Sequence, residues 1–305
     1  MVKWGMIGAG DVCERKSGPP LYLLYNSDLI LVHRRNRDAG EDFVQRHGHG
    51  RYVSSFDELI SSPEINAIYV ASPHPLHREH TMKALEAGKH VLVEKPMSID
   101  SKGCDSMIAA ADKSGCSLGV AYYRRGYPSI RYIADKLREG IIGTPEALYF
   151  CNEFPTSHRL DLVHYFFGEI ASAGIGGSTD DPFLPARRIP YIEALTHSGV
   201  TVRMAMGWLE TGMPESLIIQ GSKGRIYLHD LKAGQMIFQV DGQERSVHVG
   251  GLRYTHWGLI DNFNKAVEGK EELLCDGIEG RKSSVILDHL ATCIDGEGMK
   301  KVSYG

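Results

Sequence analysis

Cysteine is scarce and scattered. Six thiols sit at positions 13, 104, 116, 151, 275 and 293, with no C-x-x-C pair and no spacing to histidine that would hold a metal. That excludes a disulfide scaffold or a zinc module and suits a reducing compartment, so a cytoplasmic protein is expected. Long apolar runs are also missing. No stretch reaches the ~18 residues of a membrane span, and residues 1–8 run directly into a strand pattern that leaves no room for a signal peptide. Neither sign of charge dominates. Lys and Arg number 34 against 38 Asp and Glu, a net of −4, which argues against nucleic acid or an anionic membrane as partner. There are no repeats or low-complexity tracts. His77, His80, His158, His164 and His197 fall in no H-E-x-x-H-like spacing, so no catalytic metal is expected. Neither a nucleophile elbow nor a P-loop occurs.

What remains is patterned hydrophobicity. Short apolar runs without alternation lie at residues 4–8, 29–33, 67–71, 90–94 and 118–121, as expected of strands buried on both faces. Helical patterns separate them. One covers 76–88, with Leu76, His80, Ala84, Leu85 and Ala87 mostly on one face and Gly88 as the stop. Another covers 100–115, with Asp100 or Ser98 as N-cap and Gly115 at the end. Strand and helix in alternation mean a parallel sheet with right-handed crossovers. The pattern changes after Tyr123. A helix is expected over 127–139, then strands from about Ala147, including 200–206, 216–220, 225–228, 236–240 and 245–249, and finally helices over 255–268 and 277–294. Gly221-Ser222-Lys223-Gly224 and Asp241-Gly242 read as hairpin turns. The expected architecture is a Rossmann-type α/β domain over 1–122 and an α+β domain over 123–305, built on an open, mostly antiparallel sheet.

Three motifs carry chemistry. Gly8-Ala9-Gly10-Asp11-Val12-Cys13 follows the first strand and opens a helix. Glycines there permit a tight turn and let a pyrophosphate approach backbone N–H groups at a helix N-terminus. Cys13 stands in the third glycine's place. The second strand runs into His33-Arg34-Arg35-Asn36-Arg37, with no carboxylate before Asp38. An acidic residue there selects NAD and arginines accept a 2′-phosphate, so Arg34 and Arg35 favour NADP, with NAD as the alternative. A solvated charge run is the plainer reading. Glu94-Lys95-Pro96 ends a buried strand, and a lysine at such an end points into the crevice where ligands bind and can donate a proton to a carbonyl oxygen. A structural ion pair with Glu94 is its alternative.

With Ala71-Ser72-Pro73-His74-Pro75-Leu76-His77, Ala87-Gly88-Lys89-His90, Tyr122-Tyr123-Arg124-Arg125, Gly140-Ile141-Ile142-Gly143 and Gly221-Ser222-Lys223-Gly224, these motifs resemble the Gfo/Idh/MocA oxidoreductases over nearly the whole chain. That resemblance implies hydride transfer between nicotinamide and a secondary alcohol or ketone of a sugar, polyol or cyclitol. It implies a cofactor site from Gly8, Ala9, Gly10, Asp11, Val12, His33, Arg34, Arg35, Ser72, Pro73, His74, His77, Glu94 and Lys95. Tyr123 and Arg124, with Lys95 and His158, would contact a small-molecule substrate. The family carries Asp…His-x-x-Asp on a helix, whose latter part is matched by Ser157-His158-Arg159-Leu160-Asp161. His158 would join Lys95 in acid–base work, and Asp161, three residues on, shares its helix face and could orient the imidazole. A surface N-cap at Thr156 or Ser157 is the alternative. The sequence departs from the family at Phe154, where an aspartate is usual, in the short stretch Asn152 to Ser157, where relatives carry a longer loop, and at His74, where many have asparagine. Those departures keep two other readings open, a nicotinamide-dependent glycosidase and a non-catalytic NAD(P)-binding regulator. The open sheet, with Trp208, Met204, Met206 and Ile218 among its strands, suggests a homodimer or homotetramer packed sheet to sheet.

Overall fold

The computed structural model describes residues 1–151, 156–176, 191–205, 215–293 and 298–305. The chain divides into two compact units, Met1–Gly126 with Arg253–Ser284 and Tyr127–Leu252 with Val285–Gly305.

In the first unit β1 (Val2–Ile7) leads through a π-helical turn (Cys13–Ser17) to α1 (Pro20–Leu23), β2 (Ser27–His33), α2 (Arg37–His47), β3 (Arg51–Val53) and α3 (Phe56–Ser61). Then come β4 (Ala67–Val70), α4 (His77–Glu86), β5 (His90–Val93), α5 (Ser101–Ser114) and β6 (Leu118–Val120). All six strands pair in parallel in the order β3-β2-β1-β4-β5-β6. The sheet therefore reverses direction of growth between β1 and β4, and ligands of such sheets bind outside the strand ends at that switch point. Alternate residues serve opposite faces. Ile68, Val70, Val91 and Val93 pack in one apolar cluster, while Ala67, Tyr69 and Leu92 pack in another. The absence of alternation in the sequence is the signature of this two-sided burial.

Local signals set the helix ends. Asp100 accepts from Gly103 N at 2.7 Å to cap α5, and Gly115 closes it with φ of 68°. Asn36 accepts from Ala39 N to cap α2. The turn after β1 departs from expectation. A helix does open after Gly10, with Glu14 N donating to Gly10 O at 3.1 Å, but it widens at once into a π-helical turn in which Gly18 N donates to Cys13 O, and Pro19 and Pro20 follow. A Cβ on Gly18 would stand 2.1 Å from that carbonyl, so the tight packing of the turn requires glycine.

The second unit contains α6 (Pro128–Arg138), β7 (Pro145–Cys151), α7 (Thr156–Phe167), β8 (Ile170–Gly176), β9 (Tyr191–Thr196), β10 (Thr201–Ala205), β11 (Ser216–Gly221), β12 (Gly224–Asp230), β13 (Gln235–Val240) and β14 (Gln243–His248). Its sheet has the order β14-β13-β12-β11-β7-β10-β9-β8-β15, with β15 at Lys300–Lys301. Every described pairing is antiparallel except β7 with β10. Of the four residues expected to leave an apolar patch, Met204 and Ile218 are buried within the single chain and so supply none; Met206 and Trp208 lie outside the described residues.

The return of the chain to the first unit has no sequence signal. Helix α8 (Trp257–Val267) places Leu259, Ile260 and Phe263 in the cluster of Trp4, Met6, Tyr69 and Leu92, with the Trp4 and Phe263 rings 5.2 Å apart. Helix α9 (Gly277–Leu290) begins in this unit. The sequence reading placed both with the second domain. Backbone meets backbone where α8 begins: a Cβ on Gly258 would lie 2.2 Å from Gly126 O, and one on Gly126 would lie 2.5 Å from Leu259 N. Gly126→Ala and Gly258→Ala are each expected to lower stability by about 1–3 kcal/mol, since neither backbone can yield to the added methyl. Urea unfolding should show a lower midpoint with an unchanged slope; an unmoved midpoint would disprove the contact.

Candidate functional site

The glycine turn sits on the switch point. Gly8 has φ of 88°, and a Cβ there would stand 2.3 Å from Ala71 O and 2.6 Å from Ser72 N. Only glycine lets the turn after β1 press against the backbone after β4. Gly10 differs: a Cβ would meet nothing but Gly8 O at 3.7 Å. The free space above Gly10 is the cradle that a diphosphate needs, and a side chain would fill it. Ala9 is buried, Val12 half-buried and Asp11 exposed. Cys13, in the third position of the motif, is fully buried, and burial pushes its thiol up to about 12. It is a packing residue, not a nucleophile.

Arg34 Nη1 donates to Ala9 O at 2.7 Å, and the Tyr52 hydroxyl donates to Arg34 O at 3.3 Å. One edge of the guanidinium is thereby fixed against the turn. Arg35 is exposed, and His33 holds Val53 O through Nδ1 at 3.0 Å. Both arginines follow the end of β2, and Arg34 lies against the glycine turn. These features fit a dinucleotide: an unfilled cradle at the turn, and cationic donors at the neighbouring strand end.

Around the loop after β4 the picture changes. Ser72 is buried, and its hydroxyl meets His80 Nδ1 at 2.9 Å. Pro73 and His74 are exposed. His77 has no exposed surface; Nε2 lies 2.8 Å from Ser72 O and Nδ1 lies 2.8 Å from Pro96 O. The expected cofactor contact at His77 does not fit this geometry, because the buried ring has each nitrogen against a backbone carbonyl, one of which its single N–H can serve when neutral. It ties the loop after β4 to the loop after β5. Burial lowers its proton affinity, and the two carbonyl partners act in the opposite sense.

Glu94 is corrected in the same way. It is 7% exposed. Its Oε1 accepts from the Tyr69 hydroxyl at 2.5 Å and from His256 Nε2 at 2.9 Å, and its Oε2 accepts from Lys95 N at 3.1 Å. Burial alone would raise its pKa, but the His256 bond and charge, with help from Tyr69 and Lys95, hold the carboxyl down to about 2. It is a buried anchor. Lys95 follows it, half-buried, at the carboxyl end of β5. Burial pushes its ammonium below the ordinary lysine range; Glu94 opposes that, while the charges of Arg124 and Lys16 add to it. A lysine of reduced proton affinity at a strand end is suited to giving up a proton.

Tyr123 and Arg124 lie in the 3-10 turn Tyr123–Gly126 after β6. Tyr123 is half-buried, with its ring 4.4 Å from that of His256; Arg124 is 1% exposed, its guanidinium 5.9 Å from the Tyr123 ring centre. In the second unit, His158 and Asp161 both lie buried on α7, three residues apart on one face, and Arg159 Nη1 donates to Ala205 O at 2.6 Å. Phe154 and most of the short stretch before His158 lie outside the described residues. A cavity of about 510 Å³ in this unit, lined by Tyr132, Lys136, Phe238 and Arg245, contains none of the predicted residues.

The sequence reading missed His256 and Tyr69. A tyrosine inside a strand buried on both faces does signal a hydroxyl in need of a partner. Nothing local marks His256, which meets a carboxylate 162 positions away.

The turn after β1 also has an electrostatic tie. Glu14 accepts two bonds from Arg46, at 2.7 and 3.0 Å, and meets His47 Nε2 at 2.9 Å. The Arg46 bond holds its carboxyl down to about 2, from an ordinary 4.5. A depressed folded-state pKa contributes stability above the ordinary value that is lost as pH falls towards the folded one. Glu14→Gln should therefore cost about 1 kcal/mol at pH 7, a figure kept small because Arg46 stands half in solvent. The difference should vanish between pH 4.5 and 2. Thermal unfolding across that window checks it; a pH-independent difference would remove the tie.

Residues 2–122 match the model of the oxidoreductase family with NAD-binding Rossmann fold, Gfo/Idh/MocA. Oxidoreductase P35 of Formosa agariphila is 31% identical over 210 residues, which cover 59% of this chain and 65% of that protein. The 1,5-anhydro-D-fructose reductase of Ensifer adhaerens is 33% identical over 147 residues, 48% of this chain and 44% of the reductase. The chain thus spans under two thirds of the length of either. Among solved structures, a 3-ketoreductase from Actinomadura kijaniata in complex with NADP and TDP-benzene superposes with a TM-score of 0.79 over 97% of this chain and 98% of that one, at 22% identity; that likeness concerns the fold. Among the described residues no helix is long and apolar enough to cross a membrane. With the glycine turn, the parallel sheet and the lysine at the end of β5 in place, residues 2–122 match the NAD-binding Rossmann domain of the Gfo/Idh/MocA oxidoreductase family.

Proposed function

We propose that the protein is an NAD(P)-dependent oxidoreductase that moves a hydride between nicotinamide and a secondary alcohol or ketone of a sugar, polyol or cyclitol. The observation that carries the reading is Lys95, half-buried at the end of β5 with a lowered proton affinity, in a sheet whose glycine turn leaves a diphosphate cradle at Gly10. The Ensifer reductase, named for a sugar-derived ketone, supports the substrate class. When bound, the dinucleotide supplies the hydride. Gly8, Ala9 and Gly10 seat its diphosphate, and Arg34 and Arg35 meet the adenosine end. Lys95 holds a proton at Nζ for the substrate oxygen in reduction and takes it back in oxidation. His158 and Asp161 are the second acid–base candidates, carried by the family motif. Tyr123 and Arg124 are proposed to border the substrate.

We further propose a homodimer or dimer of dimers in the reducing cytoplasm. Size-exclusion chromatography with light scattering tests the assembly; a monomer at micromolar concentration removes it.

NADP is expected to bind more tightly than NAD, because a charge-assisted phosphate contact adds about 1.5–3 kcal/mol. Arg35→Ala should weaken NADP and leave NAD nearly unchanged. Calorimetric titration that finds equal affinities for the wild type would overturn the preference.

Turnover is tested by NADPH oxidation against a panel of keto-sugars and inososes. A positioned acid contributes about 10²–10⁴-fold. Lys95→Ala and His158→Ala should each lose on that order. Hydride transfer in Lys95→Ala at the wild-type rate would remove the assignment. Hydrolysis of an aryl glycoside without net cofactor turnover would instead favour the glycosidase reading.

A further inference from the structure

We propose that the buried pair Glu94 and His256 positions Lys95: Glu94 fixes the main chain and supplies the counter-charge at the end of β5, and His256 aims the carboxylate. The inference rests on the reading of Lys95 as proton donor given above.

Three donors converge on the Glu94 carboxylate. Tyr69 and His256 both bind Oε1, which leaves Oε2 directed at Lys95 N. An ionised carboxylate only accepts, so the His256 proton on this side sits on Nε2, and Nδ1 is left to the Thr255 hydroxyl at 3.0 Å. His256 itself cannot swing. It is fully buried, covered by the half-buried Tyr123 ring at 4.4 Å, and it immediately precedes α8. The donors come from separate elements, β4 for Tyr69 and the N-terminal edge of α8 for His256. A rotation of the carboxylate about its stem would break bonds to both at once.

Such a cluster is a weak stabiliser, because desolvation consumes much of the attraction between buried charges. Orientation is what the geometry provides. A bond from Lys95 N to the side chain of the preceding residue sets the backbone direction at the point where the lysine leaves the strand. The same carboxylate, bonded to the lysine's own backbone N, is the acidic group whose charge favours the ammonium. Around Lys95 stand Glu94 just after β5, Arg124 on the turn after β6 and Lys16 on the π-helical turn after β1. Around Glu94 stand Tyr69, His256 and Lys95, with the Cys13 thiol and His77 further off. Two cations thus work against the protonated lysine, and one carboxylate works for it. Glu94 bonds the main chain of Lys95, and His256 acts on it only through Glu94, so both are positioning residues.

The test has an arm that needs no substrate. Acetic anhydride labelling of Lys95, followed by mass spectrometry from pH 6 to 11, gives the midpoint at which its amine becomes reactive. In Glu94→Gln the midpoint should fall by about one pH unit, the low end of what a neighbouring charge contributes. A wild-type midpoint in folded Glu94→Gln overturns the counter-charge. The second arm is steady-state reduction. His256→Leu should lower kcat by on the order of 10²-fold, the cost of a misplacement of about 1 Å, with the KM for NADPH within about threefold. His256→Gln should recover most of it, because its amide N–H can stand in for Nε2–H; a purely structural role would show equal loss in both. Near-ultraviolet circular dichroism and urea midpoints report folding. Should Glu94→Gln fail to fold, Glu94→Asp keeps the charge and withdraws the reach, and is expected to hold the labelling midpoint while kcat falls. Wild-type kcat in folded His256→Leu overturns the positioning role. If Lys95→Ala turns over normally while the Glu94→Gln midpoint still falls, the acid assignment fails and the ordering of Lys95 stands.

Discussion

The turn after β1 has no room for a side chain at its first glycine. It lies against the backbone of Ala71 and Ser72 so closely that a methyl on Gly8 would overlap a carbonyl oxygen. Much of the first unit follows from that approach. It brings the ends of β1 and β4 together where the strand order reverses, which opens a crevice. It directs the open space towards Gly10. It also sets the loop after β4 within reach of His77, which clamps that loop to Pro96. The lysine proposed to do the chemistry stands immediately before that proline. The proposed phosphate cradle and the proposed acid are therefore linked through backbone contacts and one histidine.

The second constraint is a charge in the wrong place. Glu94 sits in the apolar cluster region of Tyr69 and Leu92, where an isolated carboxylate would take up a proton. It stays ionised because three donors meet it, two at Oε1 and one at Oε2. Buried carboxylates that are fully satisfied are rigid, and rigidity is what a neighbouring acid requires if it is to meet a substrate oxygen within a few tenths of an ångström.

Sequence patterns read the first sheet well. Residues 29–33, 67–71, 90–94 and 118–121 each coincide with a strand to within two residues at either end, because burial on both faces imposes an apolar run that no helix would need. Asp100 and Gly115 bound α5 as their chemistry demands. The short strand β3 escaped, since Arg51-Tyr52-Val53 is too brief and too polar to register. The π-helical turn escaped as well: it depends on Gly18 packing against Cys13 O, a contact that no periodicity encodes. For the proposed site, residue type and position singled out Gly8, Gly10, Arg34 and Lys95, which the structure places in turns and at strand ends of the parallel sheet. The same reasoning misassigned Glu94 and His77, because a motif shows which residues matter without showing whether they face a ligand or the protein. Whether a polar side chain points outward depends on partners elsewhere in the chain, and for Glu94 that partner is His256.

The extent of the family match sharpens this point. It ends at residue 122, with the last strand of the parallel sheet. The helix that closes one face of that sheet, and the histidine that braces the lysine's neighbour, lie more than 130 positions later. A nucleotide fold can be matched on strands and turns alone, since the dinucleotide contacts backbone and a few strand-end groups. What is proposed to position the lysine comes in part from the returning segment, through His256. In Glu94 the two meet: the carboxylate belongs to the matched strand, and the donor that aims it belongs to α8. Chemistry common to the fold and properties particular to this chain are therefore joined at a single buried hydrogen bond.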